Sequence, residues 1–316
     1  MLSSAAGLDH AFPGLTFRQD EPLSRHTRFG IGGPASAFVE CRTEDALRHA
    51  LSAGPCIVIG GGTNLVVADE GVDGVVVRST ADRIQISGTR VYVEAGADLQ
   101  ALVDSTIAAG LRGIETMTGI PGSVGGAVYG NAGAYGHSIC ERIVSVRFLE
   151  NGRPHTFTNA QCEFHYRESV FKRHKERIVL SAELALDPAE SSELRSRADE
   201  IRSIRDRKYP PDMKCAGSIF KNLILSELAS NVATRVPQAV IREGKVPSAW
   251  FLEEVGAKGM HDGDIRVADY HANLIYNAGQ GTAAQVRRII DELKRRVSAE
   301  FGLALEEEVQ YVGFTF

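Results

Sequence analysis

Sulfur and metal chemistry have little to work with in this chain. The five cysteines, Cys41, Cys56, Cys140, Cys162 and Cys215, are odd in number and widely spaced, with no C-x-x-C pair. Neither a zinc site nor a disulfide framework is indicated. The nine histidines form no H-E-x-x-H, so no metal is expected. No apolar stretch approaches the roughly 20 residues needed to span a bilayer. A basic excess is also missing: 35 basic residues stand against 40 acidic ones, for a net charge of −5. That argues against a nucleic-acid or membrane-surface binder. Met1 to Gly14 lacks a basic start and an apolar core, so no signal peptide is expected and a reducing cytoplasm is the default. Repeats, low-complexity tracts and a Walker lysine motif are absent. At 316 residues the chain has room for roughly two to three domains around sizeable cores.

What the chain does have is glycine, concentrated in a few places. The richest run is Gly119-Ile-Pro-Gly-Ser-Val-Gly-Gly-Ala-Val-Tyr-Gly-Asn-Ala-Gly-Ala-Tyr-Gly136. So many residues without Cβ cost backbone entropy. They make sense where main chain runs close to a ligand. A flexible linker would be polar and Ser-rich, whereas this run carries Ile120, Val124 and Val128. A second cluster, Gly60-Gly-Gly-Thr-Asn64, follows the apolar run Cys56–Ile59 directly. It reads either as an anion nest that turns N–H groups onto a phosphate or as a plain tight turn. A dinucleotide fingerprint fails here because Leu65 occupies the last position. The formal match at Gly30-Ile-Gly-Gly-Pro-Ala35 precedes an extended segment, Phe38 to Glu40, rather than a helix.

The rest of the pattern is α+β. Helices are expected after the caps Thr43 and Asp98, ending at Gly54 and Gly110. Strands are expected over 56–59, 74–77, 84–87, 91–94, 143–150, 155–158 and 178–186. Residues 190–208 are highly charged, with Leu194, Ile201 and Ile204 at helical spacing, and mark a domain boundary. A capping box, Thr282-Ala-Ala-Gln285, opens the last helix. Val286, Ile289, Ile290, Leu293 and Val297 line its buried face, and Gly302 stops it. The last strand is expected over 308–314. The expected domains are 1–189, with two subdomains split near 79, and 190–316.

Three polar clusters could carry chemistry. Phe164-His-Tyr-Arg-Glu-Ser169 places Arg167 where it is either a bidentate carboxylate clamp or an ordinary surface residue. Ala216-Gly-Ser-Ile-Phe-Lys-Asn222 places Ser218 beside a glycine, with no nearby base to make it a nucleophile. Its hydroxyl can still deliver a proton, or simply cap a turn. Arg205, Arg207, Lys208 and Lys214 form a basic cluster upstream, a solvated face or a diphosphate site. In Glu306-Glu-Glu308, alternation puts Glu306 and Glu308 on one face and Glu307 on the other.

Taken in order, these motifs resemble the UDP-N-acetylenolpyruvoylglucosamine reductase (MurB) family of bacterial cell-wall synthesis. The resemblance runs from about His26 to Gly313. It rests on Thr27-Arg-Phe-Gly-Ile-Gly-Gly-Pro-Ala35, Ile59-Gly-Gly-Gly-Thr-Asn-Leu65, Gly119-Ile-Pro-Gly-Ser-Val-Gly-Gly126, Asn131-Ala-Gly-Ala-Tyr-Gly136, Tyr166-Arg-Glu-Ser169, Gly217-Ser-Ile-Phe-Lys-Asn222 and Leu305-Glu-Glu-Glu-Val309.

The resemblance implies an α+β flavoprotein: a two-lobed FAD-binding domain of the vanillyl-alcohol-oxidase type, then a smaller substrate domain. Its cofactors would be non-covalent FAD and NADPH as co-substrate. Its substrate would be UDP-N-acetylglucosamine enolpyruvate, reduced to UDP-N-acetylmuramate for peptidoglycan. No nucleic-acid or membrane partner is implied, and a cytoplasmic monomer is expected. FAD would lie on Gly60, Gly61, Gly62, Thr63, Asn64 and Leu65. It would also meet Gly119, Ile120, Pro121, Gly122, Ser123, Gly125, Gly126, Asn131, Ala132, Gly133 and Tyr135. Arg167 matches the family's carboxylate-stabilising arginine, Ser218 its proton donor and Glu308 its catalytic glutamate, with Glu306 as the alternative. Tyr166, Lys221, Asn222 and, more loosely, Lys208 would contact substrate. The chain departs from the family pattern at His26 and Leu223, where Asn and Pro are usual. It also carries an apparent insertion over Leu223 to Ser248. Two rivals are a sugar or alcohol oxidase on the same FAD lobe and a catalytically silent nucleotide-sugar binder. The oxidase should lack the Arg167, Ser218 and Glu308 set; the silent binder should hold no flavin.

Overall fold

The computed structural model describes residues 11–315; most of the N-terminal segment Met1 to Gly14 lies outside them. The fold is α+β, and the chain divides into two compact units. The first takes in Ala35–Gly62, Val72–Pro210 and the described residues up to Glu21. The second combines Pro22–Pro34 and Thr63–Gly71 with the chain from Pro211 onward.

Two main sheets build the first unit. In the smaller, Pro34–Cys41 and Cys56–Ile59 both run parallel to Val72–Ser79. The larger is antiparallel, in the order Arg153–Thr158, Ile143–Glu150, Ile178–Ala185, Arg90–Glu94, Ile84–Ser87. Helix starts follow the expected caps. Thr43 accepts from the N–H of Ala46 at 3.1 Å and begins Glu44–Ser52, and Asp98 accepts from Ala101 at 2.9 Å and begins Leu99–Ala108. Each cap contributes about 1 kcal/mol by satisfying a helix-end N–H. Leu99, Leu102, Val103 and Ile107 are buried together with Val91, Val93 and Phe148 in one core.

Two elements differ from expectation. The glycine run contains a short helix, Val124–Tyr129, capped by Ser123. Gly125 lets it press on the main chain of Ala95, where a Cβ would lie 3.0 Å from the Ala95 carbonyl oxygen. In the helix Ser191–Lys208, Leu194, Ala198 and Ile201 are buried while Ile204 is exposed. Spacing alone could not separate Ile204 from the buried stripe, because helical periodicity gives it the same face as Leu194 and Ile201.

The second unit centres on an antiparallel sheet of Cys215–Ser218, His271–Asn277, Ile265–Ala268 and His261–Asp262. Across it lies Ala283–Phe301, which buries Val286, Ile289, Ile290, Leu293 and Val297 with Phe251 and Phe220. Each such side chain contributes about 1.5–3 kcal/mol on burial. Its start carries the expected capping box and a further anchor. The Asp69 carboxylate accepts from the N–H groups of Ala283 and Ala284 at 2.7 and 2.9 Å, a negative charge at the positive end of the helix dipole. The helix stops at Gly302, φ 67°.

The last strand is shorter than expected, Gln310–Val312, and it pairs in parallel with Leu65–Val67. Within residues 223–248, Leu223–Ile224 pairs with Lys245–Val246, and Leu225, Leu228, Val240 and Ile241 pack on the core. No helix among the described residues is long and apolar enough to cross a membrane. No group of three or more His, Cys, Asp or Glu among them could hold a metal.

Candidate active site

In the first unit the two glycine clusters meet. A Cβ on Gly60 would lie 2.8 Å from Ser123 Oγ, and one on Gly61 would lie 2.9 Å from Gly122 Cα and 3.1 Å from Ser123 N. The turn and the start of the long run therefore pack main chain against main chain, which only glycine permits. Gly61 and Gly62 donate no hydrogen bond to a main-chain carbonyl among the described residues. That arrangement is a ready anion nest, and it fits a dinucleotide diphosphate. Thr63, Asn64 and Leu65 continue from this turn into the second unit.

Farther along the run, Asn131 and Tyr135 hold positive φ values of 42° and 53°. Asn131 is buried, and its side chain is committed to protein. Nδ2 donates to His165 O at 2.8 Å, and Oδ1 accepts from Cys140 N at 3.3 Å. Ala132 N donates to Ala127 O at 2.8 Å, and Ile120 packs against the core. Gly133 admits the His137–Ser138 strand, since a Cβ there would lie 2.3 Å from His137 O.

Arg167 sits against this run. Its Nη2 donates to Gly133 O at 2.7 Å and its Nη1 to Asn131 O at 3.5 Å, while its guanidinium lies 5.1 Å from the Tyr166 ring centroid. The structure thus brings Tyr166 and Arg167 together with Asn131 and Gly133. Arg167 occupies a tight turn closed by paired bonds between His165 and Glu168, and its own φ is 55°. A left-handed arginine is uncommon, and such strain clusters at functional sites. Two neighbours hold it. Lys172 Nζ donates to Arg167 O at 2.9 Å, and Ser169 caps the helix Val170–Arg173. Sequence reasoning missed Lys172, because no pattern reveals which carbonyl a lysine will reach. At the end of Ser191–Lys208, the Lys208 ammonium lies 5.1 Å from the Tyr209 ring centroid, and Arg205 lies against Gly119.

Ser218, Lys221, Asn222 and Glu308 belong to the second unit, where the fold gathers them. Gly217, φ 77°, makes the bulge that ends the strand at Ser218. A Cβ there would meet nothing within 4 Å, so glycine is required by conformation and not by space. Buried Asn273 fixes the next residues. Its Oδ1 accepts from Phe220 N at 2.9 Å, and its Nδ2 donates to Phe220 O at 2.9 Å and Ser248 Oγ at 2.8 Å. Asn222 Oδ1 accepts from Ser248 N at 3.3 Å.

The acidic segment runs antiparallel to 219–221. Lys221 N donates to Glu306 O at 2.9 Å, and Glu308 N donates to Ile219 O at 2.7 Å. The three glutamates part as alternation requires. Glu306 pairs with Lys221 and leaves its side chain 71% exposed. Glu307 points to the helix Ala283–Phe301, with Lys294 at 2.7 Å, Arg287 at 3.9 Å and the Tyr311 hydroxyl also bonded. Glu308 is half-buried, one residue pairing away from Ser218. Burial, followed by the Glu307 carboxylate, pushes the Tyr311 phenol upward from its ordinary value.

Two family models match the chain. The FAD binding domain matches residues 35–157, and the C-terminal domain of UDP-N-acetylenolpyruvoylglucosamine reductase matches residues 209–312. The UDP-N-acetylenolpyruvoylglucosamine reductase of Solibacter usitatus is 56% identical over 306 residues, covering 95% of this chain and 98% of that one. The Rubrobacter xylanophilus protein of the same name is 36% identical, covering 97% and 98%. The crystal structure of the Thermus caldophilus reductase superposes with a TM-score of 0.74 at 30% identity, covering 94% of this chain and 98% of the other.

Proposed function

The chain belongs to the UDP-N-acetylenolpyruvoylglucosamine reductase family, and from that premise we propose that it reduces UDP-N-acetylglucosamine enolpyruvate to UDP-N-acetylmuramate with NADPH. FAD, when bound, would supply the hydride-relay chemistry between NADPH and C3 of the enolpyruvyl group. The interlocked residues Gly60, Gly61, Gly122 and Ser123 are the cradle we assign to it, with Thr63 to Leu65, Gly119 to Gly126 and Asn131 to Tyr135 completing the site.

Hydride addition to an enol ether conjugated with a carboxylate leaves negative charge over C2 and the carboxylate. That charge needs a fixed cation, and Arg167 supplies it from a strained turn. C2 then needs a proton. Ser218 delivers it from the end of its bulged strand. Glu308 is the catalytic carboxylate in preference to Glu306, because Glu306 pairs with Lys221 and faces solvent. Tyr166, Asn222, Lys221 and Lys208 contact the nucleotide sugar. The single observation that carries this assignment is the shared framework of Ser218 and Glu308, joined through Ile219 O. We further infer a cytoplasmic monomer that acts on small molecules alone.

An anaerobic visible spectrum in two steps tests the reading. NADPH should bleach the yellow flavin, and the enolpyruvyl sugar should restore it. A flavin that bleaches and stays bleached with this substrate would make the chain a flavoenzyme with another acceptor. A protein that takes up no FAD would lose the cofactor assignment and return to the nucleotide-sugar binder.

A further inference from the structure

We propose that Asn64 is a positioning residue for Glu308, so that the turn which carries the glycine triplet also sets the catalytic carboxylate. The inference rests on the assignment of Glu308 made above. Asn64 Nδ2 donates to the main-chain carbonyl of Glu308 at 3.0 Å. Its own carbonyl accepts from Gln310 N at 2.9 Å. One residue therefore grips the chain on both sides of Val309, just where Leu65–Val67 begins its parallel pairing with Gln310–Val312.

The other side of Glu308 is equally fixed. Its N–H is bound to Ile219 O at 2.7 Å. The neighbouring Glu307 side chain is anchored to Lys294 and Arg287 on the helix Ala283–Phe301. With N–H and C=O both committed, the Glu308 backbone has no freedom to rotate, and only its side-chain torsions remain. Gln310 Nε2 reaches the same carbonyl at 3.2 Å, but it hangs from the segment being positioned and cannot orient it against the rest of the unit. Asn64 can, because it comes from a distant part of the chain. An asparagine amide suits this role, being short, able to donate to a carbonyl, and free of any charge that would compete for an anion. Asn64 thus divides its labour. Its main chain belongs to the turn, and its side chain belongs to Glu308.

The test is Asn64→Ala together with the isosteric Asn64→Asp, which keeps the shape and removes the donor. Each variant is loaded with FAD and reduced by NADPH, and reoxidation is read per bound flavin. Reoxidation by the enolpyruvyl sugar should fall by about a hundredfold, as expected when a reacting group is displaced by about 1 Å. The loss should appear in kcat and not in KM. In flavin-free protein the variants should already melt lower. Adding Glu308→Gln to Asn64→Asp should cost nothing beyond Glu308→Gln alone, because the two act through one group. The proposal is overturned if reoxidation per bound flavin is unchanged in the variants; Asn64 would then serve the cofactor site alone. A Glu308→Gln protein that reoxidises normally would instead sink the Glu308 assignment itself, a failure visible without any Asn64 variant.

Discussion

The ammonium of Lys172 donates to the main-chain carbonyl of Arg167 at 2.9 Å, and Arg167 is the residue whose φ of 55° presents its guanidinium to the Asn131–Gly133 carbonyls. The bond stitches the strained turn to the helix that follows it. Lys172→Met should cost about 1.5–3 kcal/mol, the worth of a hydrogen bond to a charged donor. It should slow flavin reoxidation by the enolpyruvyl sugar and spare reduction by NADPH. Urea unfolding and the two half-reactions measured separately check this. Equal slowing of both halves would assign Lys172 a general structural role.

Ser218→Ala should fold normally, bind flavin and accept hydride from NADPH. Only the second half-reaction should fail, by about 10²–10⁴-fold, the usual contribution of a positioned proton donor. Steady-state turnover at the wild-type rate would remove Ser218 from the mechanism.

Two glycine substitutions should behave differently. Gly61→Ala puts a Cβ 2.9 Å from Gly122 Cα, a backbone atom that cannot move aside cheaply. It should separate the two glycine segments and lower flavin content, read as the ratio of visible to ultraviolet absorbance. Gly126→Ala meets only Ser123 Oγ at 3.5 Å, an ordinary contact inside a helix. The protein should fold as well as wild type, so its flavin content reports directly how close a ligand comes. Undiminished flavin in Gly61→Ala would mean that the two segments do not form the cradle.

Tyr311 makes a pH prediction. Burial first, then the bonded Glu307 carboxylate, raises its pKa above the ordinary value. The folded state therefore holds the phenolic proton more tightly than the unfolded chain does. Its contribution is complete below the unfolded pKa of about 10 and is lost as pH rises beyond it. Wild-type stability should decline above about pH 10 more steeply than that of Tyr311→Phe. Urea midpoints at intervals across that range decide it, and identical slopes would rule the Tyr311 contribution out.

Much of the frame was legible from residues alone, where the signal is local. Thr43, Asp98 and the Thr282–Gln285 box begin helices because a side-chain oxygen next to an apolar stripe has one good use. The parting of Glu307 from Glu306 also follows from strand alternation. Other features rest on distant partners and left no local trace. Two glycine clusters could be recognised separately, but not that Gly61 would pack on Gly122. The helix Val124–Tyr129 hid in a glycine run because its stability comes from a serine cap and close packing, not propensity. Arg167 carries no mark of its positive φ, since the turn is closed by main-chain bonds that any sequence can make. Asn64 read as part of a phosphate loop, yet its amide meets a carbonyl 244 positions away.

The parallel pairing of Leu65–Val67 with Gln310–Val312 bears on the order in which the protein can mature. Synthesis proceeds from the N-terminus, and domains generally fold as units as they emerge. The continuous stretch Val72–Pro210 has most of its partners early. Leu65–Val67 instead waits for its partner strand until Gln310–Val312 has been made. Until then, Glu308 and the turn that fixes it do not exist as a pair. The carboxylate proposed for the second step can therefore take its place only after Gln310–Val312 has been made, however early the stretch Val72–Pro210 folds.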